Sequence, residues 1–434
     1  MSRLQSAKAF LAPKLHRIVE FLAWQGITMA GNLFYGFLCV RLLPIPDYAK
    51  FAVVFGFLGT LTVFMDISFS AALLPLIGER IDDRQLIADY VASLRQLAHW
   101  LFYVFGPAAM VAYPLIVHRQ HWNWQTVAAM VAILLLASWF SRVSGAYGAV
   151  LIVRRDRKSW YRSQMISSLG TLALLGVVWA AHTLNAFTAI LINVAGIVYV
   201  ALAYYFRAGL LLGVTGNPTR QKRKAIVHLS APSIPNAVFY ALQGQVSLLL
   251  ITIFGHVTAV ASVGALTRLS QVFVLFAQMA PLLIEPYFAS LPKARLKRNY
   301  VAIVAAEALF CFAMVSLARA FPGIFLWILG PKYGGLRYEV FLLMAGSSMA
   351  FFAGQLYVIH NARRFVYWWN GMAVIVLTLG IDIFFIWKVD LSTVRAVLTL
   401  GVFTALAGLL VNAGTGIYGL VWGPRKIVGV AVAP

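Results

Sequence analysis

Acidic side chains are scarce in this sequence: 13 Asp and Glu in 434 residues against 35 Lys and Arg, with all charged residues together at 11%. That excludes a water-soluble domain, in which about a quarter of the residues are charged and form the shell over an apolar core. Cysteine is nearly missing as well. Cys39 and Cys311 both lie in apolar runs, so neither a disulfide framework nor a CxxC metal site can be built, and the redox compartment stays unread. No HExxH occurs, and the eight His residues, among them His99, His121, His182 and His360, lie mostly near the ends of apolar runs without acid-rich neighbours. General acid–base chemistry has no evident seat, and no cofactor or metal is expected. The basic start, with Arg3, Lys8, Lys14 and Arg17, leads into no small-residue cleavage site, so the first apolar segment is expected to stay.

What is present is apolar length. Hydrophobic residues make up 62% and the mean hydropathy is +0.84. A membrane-crossing helix needs about 20 apolar residues, and twelve segments qualify: 19–40, 51–77, 97–117, 124–152, 163–183, 186–206, 229–253, 257–289, 300–320, 337–360, 366–387 and 394–421. The net charge of +22 does not point to nucleic acid, because the basic residues fall in short clusters between these runs. With the N-terminus inside, 25 Lys and Arg lie in inner loops and span ends and 8 in outer ones, leaving Arg142 and Arg268 within helices. Basic loops are retained in the cytoplasm, so both termini are expected there. The expected fold class is an all-α polytopic membrane protein of about 12 helices in two six-helix lobes.

The expected organisation is a basic N-terminal segment (1–18), a lobe (19–206), a basic cytoplasmic linker (207–228), a second lobe (229–421) and a tail (422–434). Six helices return the chain to its starting side, so the second six can repeat the first about an axis along the membrane normal. A polar pattern recurs at matching places. Gln25, Thr28, Asn32 and Tyr35 share one face of the first helix, and Asn236, Tyr240, Gln243 and Ser247 one face of the seventh. Two readings are open: hydrogen bonds across helix contacts, or the lining of one aqueous cavity.

Charges inside spans cost about 2.5–3.5 kcal/mol each on insertion scales and face protein or water. Here they are Asp66, Arg142, Arg268, Glu307 and Asp382. Arg268, Gln271, Gln278 and Glu285 form one polar face of the eighth helix. Structural ion pairs, Asp66 with Arg142 and Arg268 with Glu307, are one reading. The other leaves an Arg in a cavity for a phosphate or diphosphate, which a guanidinium binds bidentately. Pro232, Pro235, Pro281 and Pro286 mark places where the seventh and eighth helices can bend.

The stretch GNLFYGFLCVRLLPIPDYAKFAVVFGFLGTLTVFMDISFSAALLPLIGER, residues 31–80, resembles the opening of bacterial polysaccharide flippases. These are the O-antigen and exopolysaccharide transporters of the multidrug/oligosaccharidyl-lipid/polysaccharide exporter superfamily. The matching features are Arg41, Leu42 and Leu43, then Asp47, Tyr48 and Ala49, then Asp66, Ser68 and Ser70. Residues 263–291, VGALTRLSQVFVLFAQMAPLLIEPYFASL, are similar to the family's eighth helix, including Arg268. Ala49 stands where Gly is usual, and Gln245 where an acid is common.

The resemblance implies a two-lobed transporter that opens a central cavity alternately to the cytoplasm and to the outside. Its cargo would be an oligosaccharide on a polyprenyl diphosphate lipid, flipped across the bacterial cytoplasmic membrane. Arg268 and Arg142 would hold the diphosphate; Gln25, Asn32, Asn236, Gln243 and Gln271 would bond sugar hydroxyls; Asp66 or Glu307 would titrate or bind a cation. Partners would be the lipid-linked substrate, membrane lipids, and polysaccharide polymerase and export proteins. A multidrug antiporter of the same superfamily is the nearest rival and would present acids to cationic drugs. A membrane polymerase, glycosyltransferase or acyltransferase is the rival of another class, and the short outer loops, with only Asp47 as an acid in the first, speak against it.

The charge split sets a topology test. In a background lacking Cys39 and Cys311, Arg157→Cys and Arg223→Cys should resist an impermeant thiol reagent in intact cells, and Lys332→Cys should react. Labelling at 157 from outside would overturn the helix count.

Overall fold

The computed structural model describes residues 24–78, 80–278, 280, 284–285, 287–288, 291, 293–362 and 368–422. The basic segment 1–18, Pro281, Pro286 and the tail beyond 422 lie outside the described residues. Among the described residues the secondary structure is helical, without strands. Eleven helices are long and apolar enough to cross a membrane, each overlapping one of the second to twelfth expected segments. The first segment is helical over 24–42.

Two compact units divide the chain, Met1–Val246 and Ser247–Pro434. The first contains α1 (24–42), α2 (Ile45–Phe64), α3 (Leu73–Ile77), α4 (Arg84–Val117), α5 (Trp124–Val153), α6 (Arg157–Ala180), α7 (Ala186–Leu212), α8 (Arg220–Ser230) and α9 (Ile234–Gln243). The dividing point lies in the seventh apolar segment. Of the 207–228 stretch, residues 207–212 finish α7 and 220–228 belong to α8, so only 213–219 is non-helical.

Local chemistry explains these boundaries. Asp83, Asn123, Asp156, Asn185 and Thr219 each cap a helix by accepting a backbone N–H in its first turn, and each such cap stabilises by about 1 kcal/mol. α7 ends at Gly213, whose φ of 64° is left-handed. The following loop crosses α4 so closely that a Cβ on Gly216 would overlap the backbone of Ala88 and Asp89. Asp89 fastens the crossing, accepting from Lys222 Nζ at 2.5 Å, Asn217 N at 2.8 Å and Gln85 Nε2 at 3.0 Å. Asp156 does the same between α6 and α7, with Arg207 at 2.6 Å. Burial pushes its carboxyl up, but the Arg207 and Ser159 bonds outweigh it and hold the group below the usual carboxylate range. Leu73, Ile87, Leu94, Val150, Leu151, Ala208 and Ile226 meet in one buried core where α3, α4, α5, α7 and α8 converge at this basic end.

The second expected segment, 51–77, is not one helix. α2 stops at Phe64, a turn carries Ile67 and Ser68 at φ of 41° and 65°, and a 3-10 turn leads into α3. Positive φ in a β-branched residue is rare and strained, and apolar content cannot announce it.

The second unit contains α10 (Val246–Phe254), α11 (Val257–Leu269), α12 (Gln271–Ala277), α13 (Lys293–Ala320), α14 (Pro322–Leu329), α15 (Arg337–Ala362), α16 (Trp368–Lys388) and α17 (Val394–Trp422). The seventh segment is thus broken at Gly244–Gln245, and the eighth at Ser270. Phe288, Tyr300, Leu356 and Ile359 form a buried cluster backed by Phe352, Leu409 and Ala413. Tyr300 Oη and His360 Nε2 share a hydrogen bond of 3.1 Å inside it. Gly416 of α17 makes room for that pair, since a Cβ there would strike both atoms.

Gly416→Ala should therefore destabilise the protein by roughly 1–3 kcal/mol, the usual cost of overpacking. Tyr300→Phe, which removes the obstructing oxygen, should recover part of the loss. Thermal unfolding of the purified variants measures both; additive losses in the double variant would show that the clash lies elsewhere.

Candidate functional site

Arg142 lies on α5, and its residue is 4% exposed. Side chains on a helix lean toward its N-terminus, and the guanidinium accordingly stacks on Trp139, one turn back, with its carbon 3.8 Å from the ring centroid. His99 and Phe102 of α4 hold that ring edge-on, at centroid distances of 5.5 and 5.2 Å. Nε and Nη1 of Arg142 are buried and have no acceptor. Leaving buried donors unmet costs about 1–3 kcal/mol, more for a charged group.

Asp66 does not relieve it. The Asp66 carboxylate takes the Ser70 backbone N–H at 3.0 Å and the Ser70 hydroxyl at 2.6 Å. It lies beside Gly145, one turn along α5 in the opposite direction from Trp139. The expected Asp66–Arg142 pair is absent because the acid is used by its own turn.

Arg268 ends α11 beside the Ser270 break and is buried, at 9% exposure. Glu307 lies on α13, and both its carboxylate oxygens are buried without a hydrogen-bond partner. The expected Arg268–Glu307 pair is therefore not formed either. Cys311, one turn from Glu307, reaches the Ser348 carbonyl at 3.5 Å, and the Ser348 hydroxyl is itself buried and unmet.

The polar stripes divide between the two readings. Thr28 bonds the Trp24 carbonyl at 3.0 Å, Tyr35 donates to the Ala189 carbonyl, and Ser168 of α6 donates to the Thr28 carbonyl at 2.9 Å. Those two residues are helix-contact groups. Asn32 is exposed, while Gln25, Asn236, Gln243 and Gln271 are half-buried. Ser247 begins the second unit, past the Gly244–Gln245 break. Sequence reasoning missed two sets: the exposed Arg95 with the half-buried Tyr147, joined at 3.2 Å, and the buried Asn370, Asn412 and Thr415, where Asn370 Nδ2 donates to Thr415 Oγ1 at 2.7 Å. The i, i+3 spacing of Asn412 and Thr415 was the available signal for the second.

No protein-family model and no curated protein matches the sequence. Solved structures do match. An inward-facing MATE family multidrug resistance transporter of the MOP superfamily aligns over 90% of this chain and 93% of its own, with a TM-score of 0.69 and 12% identity. The inward closed form of the lipid II flippase MurJ aligns over 92% and 87%, with a TM-score of 0.68 and 13% identity. A MOP superfamily transporter from Pyrococcus furiosus, described by the reversed polarity of its binding pocket, aligns over 93% and 94% at 0.56 and 13%. At these identities the likeness is one of fold.

Asp66→Asn should keep one acceptor for Ser70 and unfold near the wild-type temperature, whereas Asp66→Ala should lose about 1 kcal/mol, as capping acceptors do. Equal losses in differential scanning of the purified variants would show that charge, and not the turn, is what Asp66 supplies.

Proposed function

We propose that this protein, which has the fold of MOP-superfamily transporters, is a flippase. It moves a polyprenyl-diphosphate-linked oligosaccharide across the bacterial cytoplasmic membrane by alternating access, in the assembly of surface polysaccharide. The observation that carries this reading is the buried Arg142 guanidinium without a protein acceptor. An uncompensated membrane arginine is expensive, and a cargo with a mobile anionic group removes the cost. Arg268, buried in the second unit, is a further cation for an anionic cargo. Asn32, Gln25, Asn236, Gln243 and Gln271 offer amides to sugar hydroxyls. Glu307, with no donor of its own, is the group for a coupling proton or cation. Polymerase and export proteins would act on the flipped unit.

Glu307 also favours a second reading, export of organic cations, since a buried free carboxylate suits a cationic drug. Drug-sensitivity profiles of a deletion strain separate the two.

Deleting the gene should block surface polysaccharide and leave lipid-linked units on the cytoplasmic leaflet. Arg268→Ala should reproduce the block at normal protein levels. Arg268→Lys should retain part of the export, because charge survives while the bidentate fork is lost. Glu307→Gln should stop coupled export, and the Arg268→Gln, Glu307→Gln double variant should stay inactive; recovery of export in the double variant would mean the two serve only as a structural pair.

A further inference from the structure

The geometry points to a binding site for a lipid phosphate head group on the first unit, between α4 and α5, with Arg142 at its base and Arg95 at its mouth. It rests on the proposed function for the identity of the lipid, but not for the existence of the site.

The placement follows from helix length. α4 has 34 residues and α5 has 30, about 51 and 45 Å at 1.5 Å per residue, against a hydrocarbon core of about 30 Å. Only His118–Asn123 joins them at one end, so the excess of about 15–20 Å lies at the other, where Arg84 and Arg154 stand. Arg95 is eleven residues from the start of α4, and Arg142 eleven from the end of α5. Both are thus about 16 Å in from that basic end. That is the boundary between hydrocarbon and head groups, on the side the charge count assigns to the cytoplasm. Exposed aromatics follow on α4 one to two turns deeper, Trp100 at 49% and Tyr103 at 66%.

Cations gather there without acids. Arg95 Nη1 reaches Tyr147 Oη at 3.2 Å. His99 donates its Nδ1 proton to the Arg95 carbonyl at 2.7 Å, which sets the ring against Trp139 and so fixes the surface on which Arg142 stacks. On the adjoining face of α4, Arg223 bonds Gln96 at 2.8 Å and lies 5.3 Å over Trp100. α5 and α8 contain no Asp or Glu, Asp89 of α4 is occupied by Lys222, and Asp66 by Ser70. Two arginines, one of them buried with unmet donors, therefore converge where the bonds of the neighbouring described acids go elsewhere, and an outside anion can compensate them. At head-group depth the abundant anion is a phosphate ester or diphosphate, which guanidinium groups bind with charge-assisted hydrogen bonds.

The test uses the full chain, purified in phosphatidylcholine nanodiscs and titrated with geranylgeranyl diphosphate or phosphatidylglycerol, with retained lipid read by native mass spectrometry. Arg142→Gln and Arg95→Gln should each weaken retention about tenfold, the loss expected for one charged hydrogen bond. Arg119→Gln, at the opposite end of α4, should change nothing. Arg95 is exposed, so its variant stays informative if Arg142→Gln fails to fold, as does Tyr147→Phe. Selective retention of the diphosphate identifies the site with the cargo. Equal retention of both lipids, lost together in the variants, identifies a general phosphate-lipid site, and either result supports the inference. Retention by Arg95→Gln and Arg142→Gln equal to the wild type overturns it. Normal polysaccharide export in a deletion strain would sink the proposed function while leaving the binding result intact.

Discussion

A guanidinium inside a membrane span must find an acceptor, and this chain has few carboxylates to offer. Ion pairs among the described residues include Asp47–Lys50, Asp82–Arg154, Asp89–Lys222, Asp156–Arg207 and Glu339–Arg395. These five lie at helix ends or in the loops and short basic elements beside them. There they do mechanical work, holding the α7–α8 loop on α4 and α6 beside α7. Pairs in such wet places add little stability one by one, but they occupy the acids. Arg142 is left to an aromatic ring, which satisfies its face by cation–π attraction and leaves N–H groups unmet.

The same economy shapes the backbone. Asp66, beside Gly145 of the helix that carries Arg142, precedes the positive φ of Ile67 and Ser68 and closes a tight turn through Ser70. Strain of this kind persists where surrounding structure over-determines it, and here it converts a charge that looks available in the sequence into a capping group. The breaks at Gly244–Gln245 and Ser270 likewise interrupt spans that read as continuous apolar runs. In lipid a free backbone group must be met by protein or water, so each interruption marks a place where the chain is not facing acyl tails.

Much of the helix layout was legible because apolar length is a strong signal. The second to twelfth segments each overlap a helix long and apolar enough to cross a membrane. Boundaries were harder to read, and one of them hid a candidate site. Ending the third span at residue 97 put Arg95 in a loop, whereas α4 runs on to Arg84 because Asp83 caps it and the basic helix α8 packs along it. Amphipathic helix and linker look alike in RQKRKAIVH until a neighbour is known. Periodicity did group Thr28 with Asn32 and Tyr35, yet it could not tell that the Thr28 backbone carbonyl and the Tyr35 hydroxyl meet α6 and α7 while Asn32 is exposed. The burial of Arg142 and of Glu307 was read correctly as a cost; that neither is met by the acid or base nearest in depth depends on side-chain direction.

Among the described residues, Arg142 in the first unit and Glu307 in the second thus each keep buried polar atoms without a hydrogen-bond partner. Replacing such a group by an apolar residue would relieve its desolvation cost at once, so its presence calls for something that binds it during the working cycle. In the proposed function an anionic cargo would meet the first need and a proton or small cation the second. Binding of each lowers the free energy only of the conformation that exposes its site, and a ligand shifts a conformational equilibrium by no more than its differential affinity for the two states. Two opposite charges, each satisfied in a different loaded state, would let cargo and cation bias the same alternating equilibrium in opposite senses. The proposed exchange across the membrane requires that bias.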